Sequence, residues 1–473
     1  MKMKFKTIPW EHQKKALKYL MKRDAAALYT DMGTGKTKVM IDLVQNRGFK
    51  RVLVVAPNKA CKVWEQQIAI HGVAGLFSVF RLNDMSKDKV IRCLENIPKW
   101  RRGSVQDETY VFIVNYEKVW RKGIDRIFMR KTFGIDCIIC DESHRIKSPT
   151  SNCSKYLARL GRIVQHRYLV TGTPLAENPI DVYAQYRFLD PEVFGTNFTA
   201  FRDEYENLDV ELSMKLGFRM LDKNNPYKNL EQLREKMYSC AFYIESSVQL
   251  PPQNDREWCF NMPAKSEKLY HEVVKERVAE LNGKYMDSSN ALTLMLRLQQ
   301  MTSGYMSVED LDTKEKSIVN IDHARREEFI DLIEQFPEDE PLVVFAAYTK
   351  DLKNIRLMCK QNGISYSELS GRKDTLDDWK EGKTRVIGVQ YSSGSESIDL
   401  TRARYCIYYS LPRRLALYDQ SRKRIHRPGQ DRPVYYYHMI AVLKKGTSID
   451  VKMKNALEAK KEIVDYVVKE GWE

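Results

Sequence analysis

The sequence predicts an α/β fold of two parallel-sheet lobes with helical insertions between them. Two observations carry this reading. Short apolar runs recur in two groups, each run followed by a polar loop and a helix-like segment, and the stretches between the groups turn long, charged and helical in spacing. Runs without strict alternation suit parallel strands covered on both faces, and strands alternating with helices give an α/β architecture. A length of 473 residues favours two or more compact units over one core.

In chain order, the first lobe takes residues 1–245, with strands expected at 25–29, 52–56, 110–114, 137–140 and 167–170. Its helical insertion begins near residue 196 and runs to 245. "SVQLPPQNDREW" falls in a linker assigned to 246–264, because Pro251 and Pro252 forbid a helix there. A second helical insertion, typified by "SEKLYHEVVKERVAEL", covers 265–322. The second lobe takes 323–445, with strands expected at 342–346, 385–389, 405–409 and 434–440. From 446 to 473, Ile449, Met453 and Leu457 recur at helical spacing. The chain shows no internal repeat and no low-complexity segment.

Seventy-eight Lys and Arg against 63 Asp and Glu leave a formal charge of +15, which suits a polyanionic partner. Single clusters, such as Lys99-Trp100-Arg101-Arg102 or residues 126–131, read as solvated faces. Nine dispersed cysteines read as reduced thiols in an intracellular setting. Cys137 and Cys140 share one apolar run, where residues three apart point to opposite faces, so they form no zinc pair. The N-terminus has no apolar signal core, and no stretch approaches the ~18 apolar residues of a membrane span. The chain is therefore expected to be soluble, non-secreted and without a membrane partner.

Two motifs carry the chemistry. "LYTDMGTGKTKVMIDLV" is a strand, a glycine loop and a helix, with Gly33, Gly35, Lys36 and Thr37 at the junction. Such a loop lets backbone N–H groups converge on phosphate oxygens at a helix N-terminus. Lys36 brings a point charge to the β/γ-phosphates, and Thr37 offers its hydroxyl to Mg²⁺. Thr30 stands where the strict pattern has its first glycine. In "FGIDCIICDESHRIKS" a second apolar strand ends on Asp141 and Glu142. Asp141 is the expected second oxygen ligand of the Mg²⁺, and Glu142 the group that orients the attacking water. Near the other end of the chain, "DQSRKRIHRPGQ" holds Arg424 and Arg427. At a spacing of three they would share one helical face and act as arginine fingers when the lobes close.

With these motifs, Gln13 and the runs "VLVVAPNKACKVW", "FIVNYEK", "YLVTGTPLAENPIDVYAQYRFLDPEVFG", "LPP" and "GSESIDLTRA" stand in the order of superfamily 2 helicase-like ATPases. The chain resembles the sucrose-non-fermenting (SNF-two) family of double-stranded DNA translocases and chromatin remodellers over nearly its whole length. That resemblance implies two RecA-like lobes. It implies nucleotide contacts from Gln13 (to adenine), Gly33, Thr34, Gly35, Lys36, Thr37, Gly394, Arg424 and Arg427. Lys59, Asn115, Lys147, Ser392 and Ser393 would face the DNA backbone. His144, Thr171, Gly172, Thr173 and Gln420 would couple the nucleotide to lobe movement. The insertions would be the family's protrusions, "LMLRLQQM" its Leu-Arg-Gln helix and the tail its brace helix. The chain departs from the family at 393–400 and in having Leu411-Pro412-Arg413-Arg414 where Trp-Asn-Pro is usual.

The expected function is an ATP- and Mg²⁺-dependent motor that translocates on double-stranded DNA. It would remodel branched DNA or displace bound protein without processive strand separation. A strand-separating DNA or RNA helicase is the alternative on the same fold, and an ATP-gated nucleic-acid clamp the alternative from another class. The resemblance implies a bare monomeric motor, cytoplasmic in a bacterial or viral host cell, or nuclear if eukaryotic.

Overall fold

Seven short strands build the first sheet: β1 (Ala25–Thr30), β2 (Arg51–Ala56), β3 (Phe77–Arg81), β4 (Thr109–Asn115), β5 (Cys137–Asp141), β6 (His166–Thr171) and β7 (Ala241–Ile244). They run parallel in the order β3-β4-β2-β5-β6-β1-β7. Leu28, Val54, Ile139 and Val170 form one core with Leu17 of α1 (Glu11–Leu20), Val39 and Leu43 of α2 (Lys36–Arg47) and Trp64 of α3 (Asn58–His71). The intervening residues Ala27, Val55, Ile138 and Leu169 are equally buried. Burial on both faces is why the sequence reads as continuous apolar runs.

The computed structural model describes residues 3–30, 33–97, 108–244, 250–282, 288–309, 316–394 and 398–469. Asp31-Met32, the Lys99–Arg102 cluster and Ser395–Ser397 lie outside them. The chain divides into two units. One is Met1–Asp209 with Leu221–Gln249 and Ile463–Glu473, the other Val210–Met220 with Leu250–Glu462.

The second unit holds β8 (Gln253–Asn261), β9 (Tyr305–Glu309), β10 (Lys316–Asn320), β11 (Leu342–Ala346), β12 (Tyr366–Leu369), β13 (Val386–Gln390), β14 (Tyr405–Tyr408) and β15 (Val434–Val442). Its six-stranded parallel sheet has the order β12-β13-β11-β14-β15-β8. Leu342, Val344, Ile407 and Met439 pack with Phe329, Ile333, Leu352 and Ile355.

Three expectations need correcting. The stretch assigned to a linker at 246–264 carries β8, which pairs along its length with β15. Pro251 and Pro252 exclude a helix, but they sit just before the ladder and cost it no donor. The first insertion, read as helical to 245, ends in β7 on the sheet edge beside β1. The second, read as helical to 322, holds helices Ala264–Asn282 and Ser288–Thr302 and then the antiparallel pair β9 and β10.

One buried ion pair ties the second unit together. The Arg325 guanidinium, 1% exposed, donates to the Asp450 carboxylate and, through Nε, to Thr302 O at 2.9 Å. It also donates to Tyr409 O and, at 3.2 Å, to Met439 O. Asp450 in turn accepts from Thr302 Oγ1 at 3.0 Å and Ala441 N at 3.1 Å. Removing one partner strands a buried charge, so Arg325→Ala is expected to destabilise this unit by about 3–5 kcal/mol. Urea unfolding of the variant checks it, and a loss under about 1 kcal/mol would contradict the buried pairing.

Candidate active site

β6 lies between β1 and β5, with Asp141 in register with Val170 and Tyr29 with Thr171. The tips of β1 and β5 are therefore two strand spacings apart, about 9.6 Å, with the end of β6 between them. This gap at the carboxyl edge is where an open α/β sheet takes a ligand.

On the β1 side, Gly33 and Gly35 sit at φ 85° and 79°, a left-handed backbone that glycine adopts without strain. A Cβ at Gly35 would overlap the Gln13 amide nitrogen and push that side chain off its bond to Thr34 O. Buried Gln13 donates from Nε2 to Thr34 O at 3.0 Å and accepts from Trp10 N at 2.9 Å. It thus clips the loop to α1. Lys36 opens α2, with Nζ 3.5 Å from Thr30 O and 4.0 Å from Glu142 Oε1. Thr37 follows in the first helical turn, half-buried.

On the β5 side, Asp141 is held at three points. Trp64 Nε1 donates to its Oδ2 at 2.8 Å, Glu142 N to its Oδ1 at 3.1 Å, and Tyr116 OH to its carbonyl at 2.7 Å. Glu142 has φ 52°, one of two non-glycine residues with positive φ among those described. A left-handed backbone at such a residue costs about 1–3 kcal/mol and persists where surrounding contacts impose it. Here Thr171 Oγ1 donates to Glu142 Oε2 at 3.0 Å, and Thr173 N donates to Thr171 Oγ1 at 3.1 Å. His144 Nδ1 lies 3.2 Å from Thr171 Oγ1, 3.3 Å from Thr173 Oγ1 and 3.4 Å from Glu142 Oε2.

The two adjacent carboxyls are driven apart. Burial, then the Glu142 charge, push Asp141 up to about 6. Burial acts in the same sense on Glu142, but Lys36, His144 and Thr171 outweigh it and hold that carboxyl well below the usual range. Glu142 is thus held ionised, able to orient a water by accepting its hydrogen bond.

A carboxylate and a hydroxyl on neighbouring element ends are the hard oxygen donors that Mg²⁺ accepts. Among the described residues no group of three or more His, Cys, Asp or Glu could hold a metal. Mg²⁺ at Asp141 and Thr37 would accordingly complete its shell from phosphate and water.

Lys59 is exposed at the start of α3, after β2. Asn115 ends β4, donating to Glu117 Oε2 at 2.8 Å. Lys147 Nζ lies 3.3 Å from Asp181 and 3.7 Å from Glu177. All three follow carboxyl ends of strands. Gly172 lies in the bend just after β6, between Thr171 and Thr173.

The remaining candidates belong to the second unit. Ser392, Ser393 and Gly394 lie on the short helix Tyr391–Gly394. Gln420 and Arg424 are buried on helix Leu415–Ile425. Arg427 is off that helix, and this corrects the expectation that it shares a face with Arg424. Pro428 disfavours helical backbone at the residue before it, and the helix closes at Ile425, with His426 at ψ 87°. Arg427 Nη1 instead donates to Ile398 O at 3.2 Å.

Several positioning residues escaped the sequence reading. Besides Trp64 and Tyr116, Gln185 accepts from Ser143 Oγ at 2.7 Å and donates to Pro174 O at 2.6 Å, joining the segments after β5 and β6. Their signal exists only once the strands are placed side by side.

The model of the SNF2-related domain matches residues 12–304, and that of the helicase conserved C-terminal domain residues 324–429. The chain belongs to the SNF2-related family. Members of this family are helicase-like ATPases, and the α/β lobes and nucleotide loop agree with that. Among relatives of this SNF2-related chain is the human DNA repair and recombination protein RAD54B, 22% identical over 91% of this chain and 52% of the relative. Its Gallus gallus counterpart is 23% identical over 88% and 49%. An uncharacterized ATP-dependent helicase of Mycoplasma pneumoniae is 24% identical over 73% and 32%. The chain spans about half the length of the RAD54B relatives it matches. A solved Sulfolobus solfataricus SWI2/SNF2 ATPase core in complex with dsDNA aligns over 99% of both chains, at 18% identity and a TM-score of 0.41. Among the described residues no helix is long and apolar enough to cross a membrane.

Proposed function

We propose that the chain is an ATP-driven motor that translocates on double-stranded DNA. It would remodel branched DNA or displace bound protein without processive strand separation. The observation that carries the reading is the wiring of Glu142. Its carboxylate faces Lys36 on one side and the Thr171 hydroxyl, with His144, on the other. A change at the phosphates therefore reaches the Thr171–Thr173 segment through one side chain.

In this reading Lys36, Gly33, Thr34 and Gly35 hold the phosphates and Gln13 meets adenine. Thr37 and Asp141 would hold Mg²⁺, which when bound would supply charge to offset that developing on the transferred phosphoryl group. Glu142 orients the water and accepts its proton. Arg424 and Arg427 meet the transition-state charge, with Gly394 at the nucleotide and Gln420 coupling alongside His144, Thr171, Gly172 and Thr173. Lys59, Asn115, Lys147, Ser392 and Ser393 grip the DNA backbone, for which Lys147 leaves Asp181. Relatives named DNA repair and recombination proteins support DNA as the track.

The test is an ATPase assay with duplex, single-stranded and branched DNA and with RNA, side by side. Duplex and branched DNA are expected to stimulate most, without sequence preference, because phosphate contacts carry no base code. Binding should weaken with salt at a log–log slope of about −0.9 per phosphate neutralised. Stimulation by RNA alone, or binding indifferent to salt, would overturn the proposal.

A further inference from the structure

A cavity of about 580 Å³ opens in the first unit, walled by Trp120, Lys155, Tyr156, Arg159, Arg162 and Arg187. That volume is in the range of ligand sites. Four of these residues are cations, and no carboxylate among the described residues lines it. Beside it a smaller cavity of about 220 Å³ shares Tyr156 and Arg159 and adds Arg126 and Arg130. The acid there, Asp125, spends its Oδ1 on Gly123 N at 2.8 Å and Arg126 N at 2.7 Å.

A solvated basic face is the plain account of such residues, and three features go beyond it. Lys155, Arg159 and Arg162 follow one another at spacings of four and three, a like-charged row along helix Asn152–Gly161 and its C-cap, where Arg162 keeps helical backbone. Such neighbours oppose the helix by about 0.2–0.5 kcal/mol per pair unless an anion lies between them. Second, the walls are set. Tyr156 OH donates to Asp125 O at 3.1 Å, and Arg187 Nη2 to Pro149 O at 2.8 Å and Ser154 Oγ at 3.1 Å. Among the described residues, Arg187 Nε is buried without a hydrogen-bond partner. Third, the half-buried Trp120 ring stands in a wall whose charged residues are all cations.

We propose that this cavity is a second nucleic-acid site, which takes a single-stranded segment by its phosphates and one unstacked base. Arginine forks match phosphate oxygens, and an indole face accepts any base. Single-stranded chain can turn a nucleotide into a concavity, whereas a duplex keeps its bases paired inside. The helix leads from the carboxyl end of β5 to the amino end of β6, so Arg159 and Arg162 lie toward the opposite sheet edge from Lys59 and Asn115. A strand held here is distinct from any held at the nucleotide edge. The site needs no ATP, so it stands or falls apart from the motor reading.

The test measures fluorescence anisotropy of a labelled oligothymidylate, and of a blunt hairpin duplex, without nucleotide. Arg159→Glu combined with Arg162→Glu is expected to weaken oligothymidylate binding at least about tenfold. The salt slope should become shallower by about 0.7 for each phosphate no longer neutralised. Hairpin affinity and hairpin-stimulated ATPase should not change. Trp120→Ala should weaken the oligothymidylate by about tenfold, and Trp120→Phe should restore most of it. Lys155→Glu, at an exposed position, serves if the double variant does not fold. An oligothymidylate that fails to bind the wild type, or binds the variants equally well, overturns the proposal. Equal losses for oligothymidylate and hairpin overturn its single-strand assignment.

Discussion

Glu142→Gln binds ATP and loses turnover, by about 10²–10⁴-fold if Glu142 is the base. The groups proposed to hold phosphate and magnesium, Lys36, Thr37 and Asp141, are untouched by the change. The amide is isosteric and can still accept from Thr171 Oγ1, now 3.0 Å from Glu142 Oε2, so the left-handed turn after β5 is kept. What disappears is the charge that Lys36, His144 and Thr171 keep ionised. Nucleotide binding by equilibrium titration and phosphate release under saturating DNA separate the two effects. Near-normal turnover would remove Glu142 from the chemistry, and a parallel loss of binding would make it a structural residue.

The second large effect is at Arg427. A cation that meets charge only in the transition state lowers the barrier without tightening the ground state, and comparable arginine fingers contribute about 10³–10⁵-fold. Arg427→Ala should therefore cut kcat by that order and leave KM for ATP and DNA affinity close to wild type. The guanidinium now donates to Ile398 O at 3.2 Å and acts on the nearby Asp399 charge, so taking up the finger role means exchanging these partners. A raised KM with kcat preserved would instead assign it uniform binding.

The strands legible in the sequence are those covered on both faces. β1, β2, β4, β5 and β6 in one sheet, and β11, β13, β14 and β15 in the other, all lie inside their sheets. The four strands missed in these sheets are the four edges: β3, β7, β8 and β12. An edge strand need bury only part of its surface, so "FSVFR" is half-buried throughout and "QNDREWCFN" reads as polar. Pairing along β15 makes the latter a strand, and no local pattern carries that information. The same division runs through the site. Lys36, Asp141 and Glu142 sit in contiguous motifs and were readable, whereas Trp64 reaches Asp141 across 77 positions of chain. At Arg427 the signal was present in Pro428 and was outweighed by the helical spacing.

The central claim is movement along duplex DNA without opening it. Separating strands calls for a series of stacking platforms along a channel, and the cavity at Trp120 offers a single indole. Tyr408 of β14, Tyr436 of β15 and Tyr409 just after β14 are fully buried and packed against neighbours. The direct measurement pairs displacement of a triplex-forming third strand with unwinding of a forked duplex, under the same ATP and salt. The expected result is ATP-dependent release of the third strand, abolished in Glu142→Gln, with little opening of the fork. Efficient unwinding of the fork with the third strand left in place would contradict the claim and make the protein a strand-separating helicase.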